Sequence, residues 1–183
     1  MSVPEGKIET VITYLEMTNP PSAPPSPAPR MNLALLKAVE PTVSFYRFLY
    51  NTVGGPWLWY ERRLLDDETL SAIIQSPEVE IFVLYVGGVP AGYGELDFLK
   101  KPDMELAYFG MMPEFIGRGL GRYLLRCMID EAWNRKPDRF WVHTCTLDHP
   151  GSLNFYQRAG FSPYRQETEV IDDPLLVMES HGS

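Results

Sequence analysis

Met111-Met112-Pro113-Glu114-Phe115-Ile116-Gly117-Arg118-Gly119-Leu120-Gly121-Arg122 is the stretch that decides how this chain is read. It follows an apolar, strand-like run and opens a strongly amphipathic helix pattern. Three glycines alternate with Arg118 and Leu120 where strand gives way to helix. Such a turn leaves several backbone N–H groups unpaired and directed at one place, at the positive end of a helix dipole. The chemistry of that place is anion binding, most naturally of a phosphate. Glycine suits it because the backbone can approach a ligand without an intervening Cβ. The alternative is a glycine-rich β-to-α turn that binds nothing. Two common phosphate motifs do not fit. The dinucleotide fingerprint G-x-G-x-x-G needs a third Gly or Ala where this chain has Arg122 or Leu124, depending on register. The Walker pattern G-x-x-x-x-G-K-[ST] does not occur in the chain.

On either side of this stretch the hydrophobic pattern marks further elements. Lys7 to Met17 alternates as a strand does. Asn19 to Arg30 holds a dense proline cluster that can neither pair in a sheet nor form a helix. It is a plain spacer or a flap over a substrate cleft. Pro41 to Tyr50 reads as a helix ended by Gly54-Gly55-Pro56, and Asp66-Asp67-Glu68 starts another that runs to Gln75. Glu80–Val86 and Pro90–Leu99 read as strands joined by a Gly87-Gly88 hairpin turn. Asp103–Met112 is the next strand. Gly119–Arg135 is the best helix, with Leu120, Leu124, Leu125, Met128, Ile129, Ala132 and Trp133 on its apolar side. Arg139–Leu147, a short helix over Gly151–Ala159 and a strand over Phe161–Ile171 complete the order.

The chain has 183 residues, enough for one domain with a proper core, and residues 1–183 read as a single unit. No run of about 18 apolar residues exists, so no spanning helix and no membrane partner are expected. The N-terminus lacks a basic patch followed by an apolar run, so no signal peptide is expected. Cys127 and Cys145 fall in a helix and a strand pattern, which excludes a disulfide framework and fits a reduced, cytoplasmic setting. A net charge of −8 argues against nucleic acid as a partner, because backbone binding needs a basic face. An acidic surface suits cationic amine substrates, and equally suits solubility.

The glycine stretch resembles the acyl-CoA pyrophosphate loop of GNAT-superfamily N-acetyltransferases, written Q/R-x-x-G-x-G/A. Gly119 and Gly121 match, and Gly117 and Arg118 fit the commoner extended form. Ile116 stands where the pattern has Gln or Arg. A second stretch, Asp148-His149-Pro150-Gly151-Ser152-Leu153-Asn154-Phe155-Tyr156-Gln157-Arg158-Ala159-Gly160-Phe161, resembles the family segment N-x-x-A-x-x-[FL]-Y-x-[KR]-x-G-F. Phe155, Tyr156, Arg158, Gly160 and Phe161 match in register, while His149 and Ser152 replace the usual Asn and Ala. The two landmarks come in the family's order, separated by one helix and one strand. The resemblance is clear from Glu80 to Gln166.

This resemblance implies an α/β (α+β) fold: a mixed central sheet of about seven strands, splayed between its fourth and fifth, with about four flanking helices. Acyl-CoA would lie in the split. Its pantetheine would run along Phe109–Met112, touching Met111 and Met112, with His149 standing in for the Asn that bonds this arm. Its pyrophosphate would sit on Ile116, Gly117, Arg118, Gly119, Leu120, Gly121 and Arg122. The implied function is transfer of an acetyl group from acetyl-CoA to a primary amine of a small molecule or peptide, by direct attack in a ternary complex. A non-catalytic acyl-CoA-binding module and a transferase for another acyl group are the alternatives. Many relatives dimerise, so a homodimer is also open.

The chemistry of that reaction assigns roles. An aliphatic ammonium has a pKa of roughly 10, so a base or a water chain must take its proton. In the family, E-[IL]-x-x-x-x-V-x-P often places a carboxylate for this task. Here the string is Glu105-Leu106 … Met111-Met112-Pro113, which makes Glu105 the candidate base and Glu95, on the neighbouring strand, the reserve. A backbone N–H near Met111 would hold the oxyanion. Tyr156 would protonate the departing sulfur and touch the cofactor. Trp57 and Trp59, with Tyr60, follow the Gly-Gly-Pro break, which family topology puts beside the acceptor. There they would hold an ammonium by cation–π contact, or simply serve as core aromatics. Arg62-Arg63 reads as a solvated helix face. Cys145 has no matched base in the sequence, so no acyl-cysteine is expected. His143 and His149 lack a ligand spacing, so no metal is expected.

Overall fold

In the computed structural model, which describes residues 3–25 and 27–181, every strand belongs to one sheet. The strands are β1 (Lys7–Met17), β2 (Leu33–Lys37), β3 (Val79–Val86), β4 (Val89–Asp97), β5 (Asp103–Met111), β6 (Arg139–Cys145) and β7 (Ser162–Asp172). Their spatial order is β2-β3-β4-β5-β6-β1-β7. All neighbours are antiparallel except β5 and β6, which are parallel. Five helices accompany the sheet: α1 (Val43–Gly54), α2 (Asp67–Ile74), α3 (Leu120–Asn134), α4 (Ser152–Arg158) and α5 (Pro174–His181).

The central strands β3 and β4 are buried along most of their length, which is why they read as near-continuous apolar runs. On one face α1 and α2 cover them with Tyr46, Leu49, Tyr50, Val53, Leu70 and Ile74. On the other, α3 presents Leu120, Leu124, Leu125, Met128, Ile129 and Ala132, a stripe at helical spacing. Local caps start the helices on the first face. The Thr42 hydroxyl accepts from the Phe45 N–H, and the Asp66 carboxylate accepts from the Thr69 N–H.

The parallel pairing of β5 with β6 is short. It runs only through Asp103–Arg139, Met104–Phe140 and Glu105–Trp141, and then the strands part. The irregularity that accompanies the parting lies on β5. Glu95 faces Tyr108 and Leu96 faces Leu106, so Ala107 is an extra residue, a bulge that bends β5 away from β6. This is the splay expected between the fourth and fifth strands. Those strands are fifth and sixth in chain order because Leu33–Lys37 is an additional strand, absent from the sequence reading.

Two further differences have physical reasons. β1, whose place in the sheet the alternation of Lys7–Met17 left open, lies between β6 and β7. The proline-rich segment after it therefore has to cross to β2 at the far edge, about 24 Å away at five strand spacings. It crosses over α3, where Arg126 donates to the Ala23 carbonyl at 3.0 Å. It is a strap on a helix, and none of its described residues reaches the large cleft. α5, the fifth helix against about four expected, carried a readable signal. Asp173 accepts from the Leu175 N–H at 3.0 Å, and Pro174 is the first helical residue.

Candidate active site

The parting of β5 and β6 opens a cleft of about 1020 Å³. At one end lies the glycine turn. Gly117 and Gly119 have φ of +82° and +76°, and a Cβ on either would meet nothing within 4 Å. Their glycine requirement comes from the backbone and not from crowding. Gly119 is the N-cap of α3 and offers no side-chain cap, and the first turn holds no acidic residue. α3 thus begins with open N–H groups facing a cleft, where α1 and α2 have protein caps. Arg122, on the first turn of α3, and Arg158, on the last turn of α4, line the cleft, and neither pairs with a carboxylate among the described residues. Backbone donors, a helix dipole and two free guanidinium groups together fit a pyrophosphate.

At the centre of the cleft stands Tyr156 on α4, 8% exposed. Its ring packs edge-on against Phe109 and Phe161, which fixes its direction. Its hydroxyl has no protein hydrogen-bond partner among the described residues. Burial, and then the Asp148 charge, push the phenol well above its ordinary value. It is therefore fully protonated at neutral pH. The same burial would raise the proton affinity of a thiolate released beside it.

The far end is built from side chains. Thr10 and Ile12 of β1, His143 and Cys145 of β6, and Glu169 and Ile171 of β7 share one sheet face. Tyr60 and Glu61 approach from the segment between α1 and α2. Glu61 accepts from the Tyr50 hydroxyl at 3.1 Å. Burial, then Glu61, then Asp172 push the Tyr60 phenol up. No lysine lines the cleft among the described residues, and its two arginines are Arg122 of α3 and Arg158 of α4. Asp148 holds the β6–α4 turn, accepting from the Thr144 hydroxyl at 2.7 Å and the Cys145 N–H at 2.9 Å.

The profile of the "Acetyltransferase (GNAT) family" matches residues 42–161, about two thirds of the chain. The chain belongs to the GNAT acetyltransferase family. Among solved structures, it is similar to a GCN5-related N-acetyltransferase from Sphaerobacter thermophilus, with a TM-score of 0.62 and 18% identity over 90% of this chain and 54% of that one. A functionally unknown conserved protein from Staphylococcus epidermidis gives 0.60 and 14%, over 92% of this chain and 64% of that one. An aminoglycoside acetyltransferase from an uncultured soil metagenomic sample gives 0.58 and 14%, over 70% of this chain and 88% of that one. At these identities the likeness is one of fold. The chain spans little more than half of the Sphaerobacter protein and under two thirds of the Staphylococcus protein. No curated protein matches.

The GNAT cleft gathers many of the residues expected from the sequence. Met111, Ile116, Gly117, Gly119, Gly121, Arg122, His149, Tyr156, Trp57 and Trp59 line it. Others stand behind it. Met112 is buried, and its N–H is taken by the Ala91 carbonyl at 2.8 Å. The Leu120 side chain is in the core, so only its backbone is available at the turn. Arg118 lies over the Phe115 ring, 5.3 Å from its centroid. His149 accepts from the Gly151 N–H at 2.9 Å through Nδ1 and meets the Trp57 ring edge-on at 5.3 Å. Trp59 packs between Tyr50 and Tyr108 as a core aromatic that also reaches the cleft.

The two candidate bases part company. Glu95 is 0% exposed and does not line the cleft. The Tyr46 hydroxyl donates to one of its oxygens at 2.5 Å, and Arg62 donates to the other at 2.6 Å. Burial raises the carboxyl, against the pull of Arg62 and Tyr46. That arrangement leaves no oxygen open to an acceptor. Arg62 is correspondingly not a solvated residue: its side chain is 11% exposed and stacks over Tyr108. Glu105 is 19% exposed and also stands outside the lining, but its Oε1 lies 3.3 Å from Nδ1 of His143, which does line the cleft. The sequence carried no signal for that pair, because Glu105 and His143 are far apart in the chain and meet only where the helix-bearing crossover brings β6 beside β5. Among the described residues no three His, Cys, Asp or Glu side chains gather as a metal site.

Proposed function

We propose that this protein transfers an acetyl group from acetyl-CoA to a primary amine of a small molecule or peptide, by direct attack in a ternary complex. The observation that carries the reading is one cleft with two unlike ends, lined also by Tyr156, a buried residue whose hydroxyl has no protein hydrogen-bond partner among the described residues. The uncapped start of α3, with Gly117, Gly119, Gly121, Arg122 and Arg158, fits the pyrophosphate. The parted edge of β5 over Phe109–Met111 suits a pantetheine arm running beside it. Acetyl-CoA supplies an activated thioester carbonyl. Tyr156 supplies the proton that the leaving sulfur needs, and Glu105 belongs to the path that removes the proton from the amine. Glu61 and Glu169, with no lysine among the described residues that line the cleft, favour an acceptor that arrives as a cation.

The test is thiol release from acetyl-CoA against a panel of monoamines, diamines, amino sugars and peptide N-termini. Turnover with amines, faster for those bearing a second positive charge, is the expected result. A protein that gains thermal stability from CoA but releases no thiol with any amine would be a binding module instead. Faster release from a longer acyl-CoA would keep the enzyme and change its acyl group.

A further inference from the structure

We infer that His143 is the group that takes the acceptor's proton, with Glu105 as the residue that positions it; this rests on the acetyl-transfer reading. The parallel ladder ends at Glu105 and Trp141. His143 is therefore two residues beyond the fork, on the same sheet face as Trp141, and it lines the cleft. Glu105 stays behind the fork and reaches the cleft only through the imidazole, 3.3 Å from Nδ1. A carboxylate at that nitrogen keeps the ring proton on Nδ1 and leaves the lone pair on Nε2. An imidazole with a pKa of about 6.5 is also a closer match to an ammonium of roughly 10 than a carboxylate of about 4.3.

The charged and titratable groups around His143 come from every neighbouring element. Glu105 faces it from β5, Glu61 from the turn before α2, and Asp148 from the loop after β6. From β1 comes Tyr14, its ring 5.9 Å away, with Arg165 of β7 stacked on that ring at 4.5 Å and Glu167 beside it. Desolvation by the surrounding protein pulls the imidazole down, although its side chain is 44% exposed, and Glu105 and then the other carboxylates outweigh it, so His143 titrates above its ordinary value.

The reaction then balances as follows. The ammonium gives one proton to Nε2 of His143, and its nitrogen attacks the thioester carbon. The N–C bond forms and the C–S bond breaks. Tyr156 gives its proton to the sulfur, the second proton of the former ammonium restores the phenol, and His143 releases its proton to water.

Two measurements test the assignment. The first is the pH dependence of kcat/KM for wild type, His143→Gln and Glu105→Gln. In wild type kcat/KM should rise through an ionisation above the ordinary imidazole value. His143→Gln should lose about 10²-fold or more at neutral pH, lose that ionisation, and recover towards the pKa of the amine. Glu105→Gln should keep the ionisation, displaced downwards, with a smaller loss. The second needs no turnover: the His143 imidazole, followed by NMR in the free protein, should titrate lower in Glu105→Gln than in wild type. An ionisation that survives in His143→Gln but vanishes in Glu105→Gln would make Glu105 the base and overturn the assignment. An imidazole that titrates identically with and without Glu105 would overturn the positioning role. CoA-dependent melting shifts retained by both variants exclude misfolding as the cause. If the wild type acetylates no amine, the acetyl-transfer reading falls, and the role of His143 falls with it.

Discussion

At the glycine turn the cleft presents backbone: the first N–H groups of α3 and two glycines with positive φ, backed by Arg122 and Arg158. At the β6–β1–β7 end it presents side chains: Glu61, His143 and Glu169, with Tyr60 among them. The first end is made by one continuous stretch of chain, whereas the second is assembled from the turn before α2 and the three strands. A site made of backbone depends on local conformation and tolerates little change in the residues that permit it. A site made of side chains depends on register and on what stands behind each group. Glu95 and Glu105, on adjacent strands, show how far the backing decides: Arg62 and Tyr46 seal one, and His143 opens the other to the cleft.

Tyr156 stands where the two ends meet, and removing its hydroxyl should give the largest effect. Tyr156→Phe keeps the ring contacts and should lower kcat by about 10²–10⁴, with CoA affinity nearly unchanged. Equal losses in turnover and in the CoA melting shift would instead place Tyr156 in the cofactor end.

Next in size is the seal. Arg62→Met leaves the Glu95 carboxylate buried and unpaired, which should cost about 3–5 kcal/mol in denaturant unfolding. The sign with pH follows from burial, which raises Glu95 and would raise it further without Arg62. A raised folded-state carboxyl favours folding below its unfolded value of about 4.3 and loses that contribution as pH rises. The variant should therefore be closest to wild type in acid and furthest from it at neutral pH. A pH-independent loss would mean that Arg62 acts through packing alone.

Gly121→Ala tests whether the turn end is open backbone. The new Cβ would meet Met111 Cγ at 3.6 Å and Phe155 Cζ at 3.9 Å, ordinary contacts, and φ at Gly121 is not positive. Helix propensity should then hold or raise the stability of the free protein, by up to about 1 kcal/mol. The stabilisation by CoA, about 2.7 kcal/mol at a hundredfold excess over Kd, should be largely lost. Unchanged CoA stabilisation would turn this end back into a glycine-rich connection. The smallest expected effect is at α2, which has the protein cap that α3 lacks. Asp66→Ala should cost about 1 kcal/mol of stability and leave the CoA melting shift intact.

The helices α1 to α4, the strands β3 to β7 and the hairpin turn were legible because each carries a local periodicity, a cap or a turn signal. β2 was not. Leu33-Ala34-Leu35-Leu36-Lys37 has no alternation, and it is a strand only because β3 is there to pair with it. The proline-rich segment was legible as neither helix nor strand. Its course over α3 follows from the places of β1 and β2 in the sheet.

Local sequence was therefore enough for everything that neighbouring residues do to one another: the glycine turn into α3, the apolar stripe that packs that helix, and the Phe155–Phe161 segment that carries Tyr156. Folding had to supply the pairings between distant segments. Alternation identifies β1 as a strand, but nothing in Lys7–Met17 says that it enters between β6 and β7 and lends Thr10 and Ile12 to the cleft. The motif that puts Glu105 before Glu95 likewise says nothing of the Arg62 and Tyr46 that seal Glu95 or the His143 that meets Glu105. Backbone conformation is a short-range property, set by each residue and its neighbours. Burial, ion pairing and access to the cleft depend on which strand lies alongside, and that is set by packing of the whole sheet.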